Sequence, residues 1–175
     1  MSASGDIATL VADMPDSAHP EWVVPMLAVL TDARFSDPEW IFERKLDGVR
    51  LLAFRDGDRL RLMTRNRNLV NDTYPELIDA LAQQPARDFV ADGEVVTFEG
   101  DLTSFSRLQD RMQIADPDKA RASGIMVYLY LFDLLHLAGH DLSHLPLRRR
   151  KSMLRRALCF DDPLRFTPHR NEDGE

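Results

Sequence analysis

The chain has 175 residues, enough for one domain with a substantial core and short for two. Hydrophobic residues make up 44% and charged residues 29%, the proportions of an ordinary globular protein, and the net charge is −7. The longest apolar run, Ile125 to Phe132, is far below the roughly 20 residues that cross a bilayer, which excludes a helical membrane protein.

Residues 1–20 are acidic, rich in small side chains and without a period, so they are expected to form a mobile leader, with residues 21–175 as the folded unit. The leader has no basic region before an apolar stretch and does not read as a signal peptide. Val23 to Leu30, interrupted by Pro25, suits an extended segment packed on the body. Trp40 to Lys45 is a short strand, and Asp47-Gly48 marks a turn. Val49 to Arg55 and Arg59 to Thr64 form a hairpin around Asp56-Gly57. Tyr74 to Gln83 reads as a helix capped by Asp72 or Thr73, with Leu77, Ile78 and Leu81 on its apolar face. Strand material follows at Phe89 to Phe98, then a helix at Thr103 to Met112. Ile125 to Leu135 suits a strand buried on both faces. Pro146 to Leu158 reads as a helix and Leu164 to Thr167 as a last strand. Hairpins with inserted helices define an α+β class with largely antiparallel sheets.

Charge and cysteine usage narrow the partners. Residues 1–40 hold seven acids and one base, whereas residues 41–175 carry 22 acids and 21 bases. The nearly balanced body permits DNA binding without requiring it. The one cysteine, Cys159, forms no internal disulfide, which fits a reducing cytoplasm.

Nineteen arginines stand against three lysines, Lys45, Lys119 and Lys151. A lysine within a motif of such a chain suggests chemistry, because Lys can become a neutral amine nucleophile and Arg cannot. Lys45 lies in Glu43-Arg44-Lys45-Leu46-Asp47-Gly48-Val49-Arg50. Burial and nearby cations would free its lone pair for attack on phosphorus. Gly48 would let the backbone turn beside a ligand, Arg50 would neutralise phosphate charge, and Asp47 would hold a metal or orient a donor. The same residues also fit a plain charged hairpin. Arg59, Arg61, Arg65 and Arg67 form a row suited equally to phosphates or to a solvated edge strand. His136, His140 and His144 have helical spacing, but Gly139 breaks any helix, so they are expected in turns facing solvent. Arg148 to Lys151 with Arg155 and Arg156 could form a DNA-binding ridge, but such a row is more often the exposed face of an amphipathic helix.

Downstream, Asp92-Gly93-Glu94 follows an apolar strand, Thr64-Arg65-Asn66 follows the hairpin, and Val127 to Asp133 is rich in aromatics. With Pro25-Met26-Leu27-Ala28, Tyr74-Pro75-Glu76-Leu77, Phe132-Asp133-Leu134-Leu135 and Leu145-Pro146-Leu147-Arg148, these segments resemble ATP-dependent DNA ligases of the nucleotidyltransferase superfamily. The likeness is to bacterial types, including the ligase domain of end-joining enzymes. It implies an ATP-grasp-like nucleotidyltransferase fold, ATP and Mg²⁺ as cofactors, and lysyl-AMP formation on Lys45. It places Glu43 along the adenine edge, Arg50 near ribose and phosphate, and Arg65 near the AMP phosphate or DNA backbone. Glu94 would bind the ribose hydroxyls and Phe132 would stack on adenine. The implied partners are nicked or broken double-stranded DNA and other end-joining repair proteins. The family's later metal-serving glutamate strand, paired-lysine strand and OB-fold domain find no match here, so the adenylation domain is expected to be incomplete at its C-terminus. A catalytically dead nucleotide- or DNA-binding remnant, or an RNA ligase or capping-type enzyme, stay as alternatives.

Overall fold

A computed structural model describes residues 3–28, 32 and 35–171. Five helices and ten strands follow in chain order among them: α1 (Ala3–Val11), β1 (Ile41–Glu43), β2 (Val49–Asp56), β3 (Arg59–Thr64), α2 (Pro75–Ala82), β4 (Asp88–Val96), β5 (Phe98–Glu99), β6 (Leu102–Thr103), α3 (Phe105–Met112), α4 (Pro117–Ala122), β7 (Tyr128–Leu137), β8 (His140–Asp141), α5 (Leu147–Ala157), β9 (Leu164–Phe166) and β10 (His169–Asn171). The main sheet has the order β3-β2-β4-β7-β8. Strand β9 lies parallel to β7, β1 pairs with β10, and β5 pairs with β6. Every pairing apart from β7–β9 is antiparallel, as the hairpin pattern implied.

The alternation of β2 and β4 divides the sheet into two faces. Leu51, Ala53, Ala91 and Phe89 point into the large core with Leu62, Leu77, Leu81, Leu129, Leu131, Leu134, Met153 and Leu154. Leu52, Phe54, Val90 and Leu135 form a smaller cluster on the opposite face, covered by Trp22 and Val23. The segment expected to be extended on the body packs there, with Val23 on this cluster, Pro25 buried and the Met26 carbonyl bonded to Arg50. Its last residues, 29 and 30, lie outside the described residues.

The expected mobile leader instead contains α1, whose Ile7 and Val11 are buried in the large core. The i, i+4 spacing of these two residues places both on one face, a signal too short to stand out among acidic and small neighbours. Helix α2 takes Tyr74 as its N-cap without a side-chain bond, in place of Asp72 or Thr73, and Pro75 opens its first turn. The buried Arg55 serves the other end of α2, donating from Nη1 to the carbonyls of Leu81, Gln84 and Ala86.

Strand β7 departs from the expectation of full burial. Leu129, Leu131 and Asp133 are buried, but Tyr128, Tyr130 and Phe132 between them are only half-buried. The register with β4 also slips twice: Asp92 pairs with Asp133 and Gly93 with Leu131, so Phe132 is the extra residue of a β-bulge. A bulge re-aims the side chain it carries, and this one lies beside Asp92.

Candidate functional site

The site lies at one end of the face that carries Leu52 and Val90. Cross-strand pairing sets Arg50 opposite Glu94 and Leu52 opposite Asp92. Asp92 is completely buried, and its carboxylate takes a two-pronged bond from Arg50, with Nε to Oδ1 at 2.6 Å and Nη2 to Oδ2. Arg50 Nη2 also donates to the carbonyl of Met26 at 2.9 Å, and its guanidinium lies 4.8 Å from the centre of the Phe132 ring. Burial, assisted by the neighbouring charge of Asp133, pushes the Asp92 carboxyl up to about 6 against the opposing pull of Arg50. Burial likewise raises Glu94, with a smaller contribution from Asp47 and Asp92.

Gly48 is explained by space. A Cβ there would sit 2.2 Å from the carbonyl oxygen of Val95 and 2.7 Å from Val96 Cγ1. The bare backbone therefore lies directly on β4, where its N–H donates to Glu94 Oε1 at 3.0 Å. This contact fixes the end of the 44–48 connection. Lys45 and Asp47 within that connection are exposed. The burial expected around Lys45 is absent, because the short strand β1 ends at Glu43 and the connection runs over the surface.

Two buried cations on α5 hold this region from below. Lys151 is 1% exposed; its Nζ donates to Glu43 Oε1, to the carbonyl of Thr167 at 2.9 Å and to that of Phe132 at 3.2 Å. Arg150 clamps Asp133 with Nε and Nη2 at 2.7 and 2.8 Å, and donates from Nη1 to the carbonyl of Leu145. Arg148 donates to the carbonyls of Pro38 and Trp40 at 2.5 and 2.7 Å. The expected exposed basic face of α5 is thus substantially an internal clamp on the strand that leads to Lys45. Buried lysine and arginine need partners, and sequence alone did not show that Glu43 and Asp133 provide them.

The structure brings Gly48, Arg50, Glu94 and Phe132 together on one face, with Lys45 and Asp47 on the connection above. Glu43 belongs to the same region, but its carboxylate is engaged by Lys151. Arg50 is engaged by Asp92, a residue that sequence reasoning did not single out within Asp92-Gly93-Glu94. Arg65 is exposed one residue past the Leu51–Thr64 pair, at the Arg50 end of the sheet. The rest of the arginine row is occupied: Arg59 and Arg61 pair with Glu21, and Arg67 stacks over Trp22 at 5.0 Å.

The histidines also differ from expectation. His136 is 1% exposed within β7, and it meets Asp88 together with His19. The strand β7 extends two residues beyond the run read from sequence, to Leu137, and carries His136 into the sheet. His140 lies in β8 and donates from Nδ1 to the carbonyl of Pro15, while His144 is exposed as expected.

The mixed α/β fold, with sheets antiparallel apart from the β7–β9 pair, is similar to that of a DNA ligase nucleotidyltransferase domain. A family model described as ATP dependent DNA ligase domain matches residues 25–173, and the chain belongs to that family. A probable DNA ligase of Kineococcus radiotolerans is 35% identical over 138 residues, 75% of this chain and 26% of that protein. The multifunctional non-homologous end joining protein LigD of Pseudomonas aeruginosa is 33% identical over 157 residues, 88% of this chain and 18% of that protein. A solved structure of mycobacterial DNA ligase D complexed with ATP and MES superposes with a TM-score of 0.65 at 30% identity, covering 86% of this chain and 47% of that one. The chain therefore spans about a quarter or less of these two curated relatives. No helix among the described residues is long and apolar enough to cross a membrane.

Proposed function

We propose that this chain supplies the adenylation chemistry of an ATP-dependent DNA ligase, with Lys45 as nucleophile. Lys45 Nζ attacks the α-phosphorus of ATP; a P–N bond forms, the bond to pyrophosphate breaks, and the lysine proton passes to solvent. The AMP then moves to a 5′-phosphate at a DNA nick, and the 3′-hydroxyl displaces it to seal the strand. The observation that carries this reading is the Gly48–Glu94 contact. It holds the lysine-bearing connection against the carboxylate that the resemblance assigns to the ribose.

Glu94 offers Oε2 to a ribose hydroxyl, since the Gly48 N–H bonds Oε1. Phe132, turned out by the bulge, offers a ring for adenine, with Arg50 behind it as a fixed cation. Glu43, held by Lys151, sets the end of β1 two residues before Lys45. Arg65 offers an exposed charge to the AMP phosphate or to the DNA backbone. Mg²⁺ fits as an ion carried largely by ATP. Asp47 is an exposed hard-oxygen donor close enough to raise Glu94, and Mg²⁺ commonly takes only one or two carboxylates beside phosphate oxygens. Bound there, the ion would offset phosphate charge.

Nicked or broken double-stranded DNA is the proposed substrate, other end-joining repair proteins are the proposed partners, and the cytoplasm is the proposed location. The test is transfer of label to the protein from α-labelled ATP and, in parallel, from adenylate-labelled NAD. Transfer from ATP alone supports the reading; transfer from NAD alone overturns it. An adenylated chain that joins RNA ends and not DNA ends would favour the RNA-ligase alternative.

A further inference from the structure

Apart from the nucleotide face, a second group of chemically potent side chains gathers at the other end of the sheet. Asp88 opens β4, six residues before Glu94, so the two sites lie about 20 Å apart along the strand. Between them stands the small apolar cluster of Leu52, Phe54, Val90 and Leu135. His19 Nδ1 is 2.7 Å from Asp88 Oδ1, and His136 Nε2 is 3.2 Å from the same oxygen. The donor atoms of all three residues lie within 4.8 Å of one another.

We propose that His19, Asp88 and His136 form a binding site for one divalent transition-metal ion of the Zn²⁺ class. Two imidazoles and one carboxylate are the ligand set such borderline ions favour. Tetrahedral metal–ligand bonds of about 2.0–2.2 Å place neighbouring donors about 3.3–3.6 Å apart, so the donors now 2.7 and 3.2 Å apart need only small outward shifts to admit an ion. Asp88 is held for the purpose: the N–H of Gly139 donates to its other oxygen, Oδ2, at 2.6 Å. Such outer contacts orient a ligating carboxylate. Both rings are fixed, His19 standing edge-on to His136 at 5.1 Å and to Phe54 at 6.4 Å. The side chains of His19 and His136 are 10% and 1% exposed, which leaves the half-buried Asp88 edge as the way in.

The ion would tie the irregular segment at His19 to β4 and β7. That segment continues through Trp22 and Val23, which cover the small cluster, to Met26, whose carbonyl holds Arg50. The site would thus fasten the strap across the sheet at the end remote from the nucleotide.

The test is titration of the metal-free full chain with Zn²⁺ by calorimetry and thermal melting, with Co²⁺ as a spectroscopic probe. Binding of one equivalent, a raised melting midpoint and visible Co²⁺ bands that Zn²⁺ bleaches are expected. His19 lies outside regular structure, so His19→Ala is the variant most able to fold. His19→Ala and Asp88→Asn should each weaken binding by about 100-fold or more, since losing even an outer-shell partner costs about 10–100-fold. Absence of Zn²⁺ and Co²⁺ binding by the folded wild-type chain overturns the proposal. Binding that persists unchanged in both variants, as it would at His140, His144 or Cys159, overturns it equally.

Discussion

The buried ammonium of Lys151 donates to the carboxylate of Glu43, two residues before the proposed nucleophile Lys45, and to the carbonyl of Phe132, the proposed adenine platform. A single side chain on α5 thereby fixes the strand that enters the Lys45 connection relative to the bulge at Phe132.

Lys151→Met keeps the volume and removes the charge, leaving the Glu43 carboxylate and two carbonyls without their donor. The expected loss is about 1–3 kcal/mol in urea denaturation, together with slower lysyl-AMP formation at saturating ATP. Unchanged stability and rate would show that the clamp positions nothing.

Gly48→Ala is expected to be severe for a steric reason. The added methyl would meet Val95 O at 2.2 Å, which is backbone and cannot swing away. Moving the connection off β4 breaks the bond to Glu94, and overpacking of this kind costs about 1–3 kcal/mol. The variant should fold with reduced stability and lose most of its adenylation, measured by denaturation and labelled-ATP transfer on the same sample.

Glu94→Ala should weaken nucleotide binding through the ribose while preserving the fold, because the side chain is half-buried and outside the large core. Removal of a charged hydrogen-bond partner suggests a loss of about 1.5–3 kcal/mol. The wild-type protein should discriminate between ATP and its deoxy analogues, and the variant should not. Equal discrimination by both proteins would remove Glu94 from the ribose.

The Asp92 carboxyl gives a pH signature. Its pKa rises from 3.8 to about 6 on folding, so between those values the folded state binds more protons than the unfolded chain. Its contribution to stability is fully present below about 4 and is lost as the pH rises through about 6. Asp92→Asn should flatten this fall when unfolding free energies are compared across that window. A slope identical in both proteins would place the titration elsewhere.

Much of the sheet was legible in the chain. The alternation of Leu60 and Leu62, the Asp56-Gly57 turn and the apolar run before Asp92 predict β3, the hairpin and β4, and those strands form. The helix α1 was not legible, because only Ile7 and Val11 mark its buried face. The Phe132 bulge was invisible for a different reason: a slipped register is a property of two strands together, and neither sequence alone carries it. The charged row of α5 misled in the opposite sense. Arg150 and Lys151 look solvated by composition, and only the fold reveals the acids that meet them. His136 joined His19 and Asp88 from positions 117 and 48 residues apart, a separation no local spacing rule detects.

Transfer of AMP from ATP to Lys45 is the step on which the proposed function turns. Its most direct test is incubation of the 175-residue chain with ATP and Mg²⁺, followed by proteolysis and mass spectrometry of the peptide containing Lys45. A phosphoramidate-linked AMP on Lys45, labile to acid and absent from Lys45→Ala, is the predicted result. Adenylate found on another residue, or labelling that survives Lys45→Ala, would contradict it.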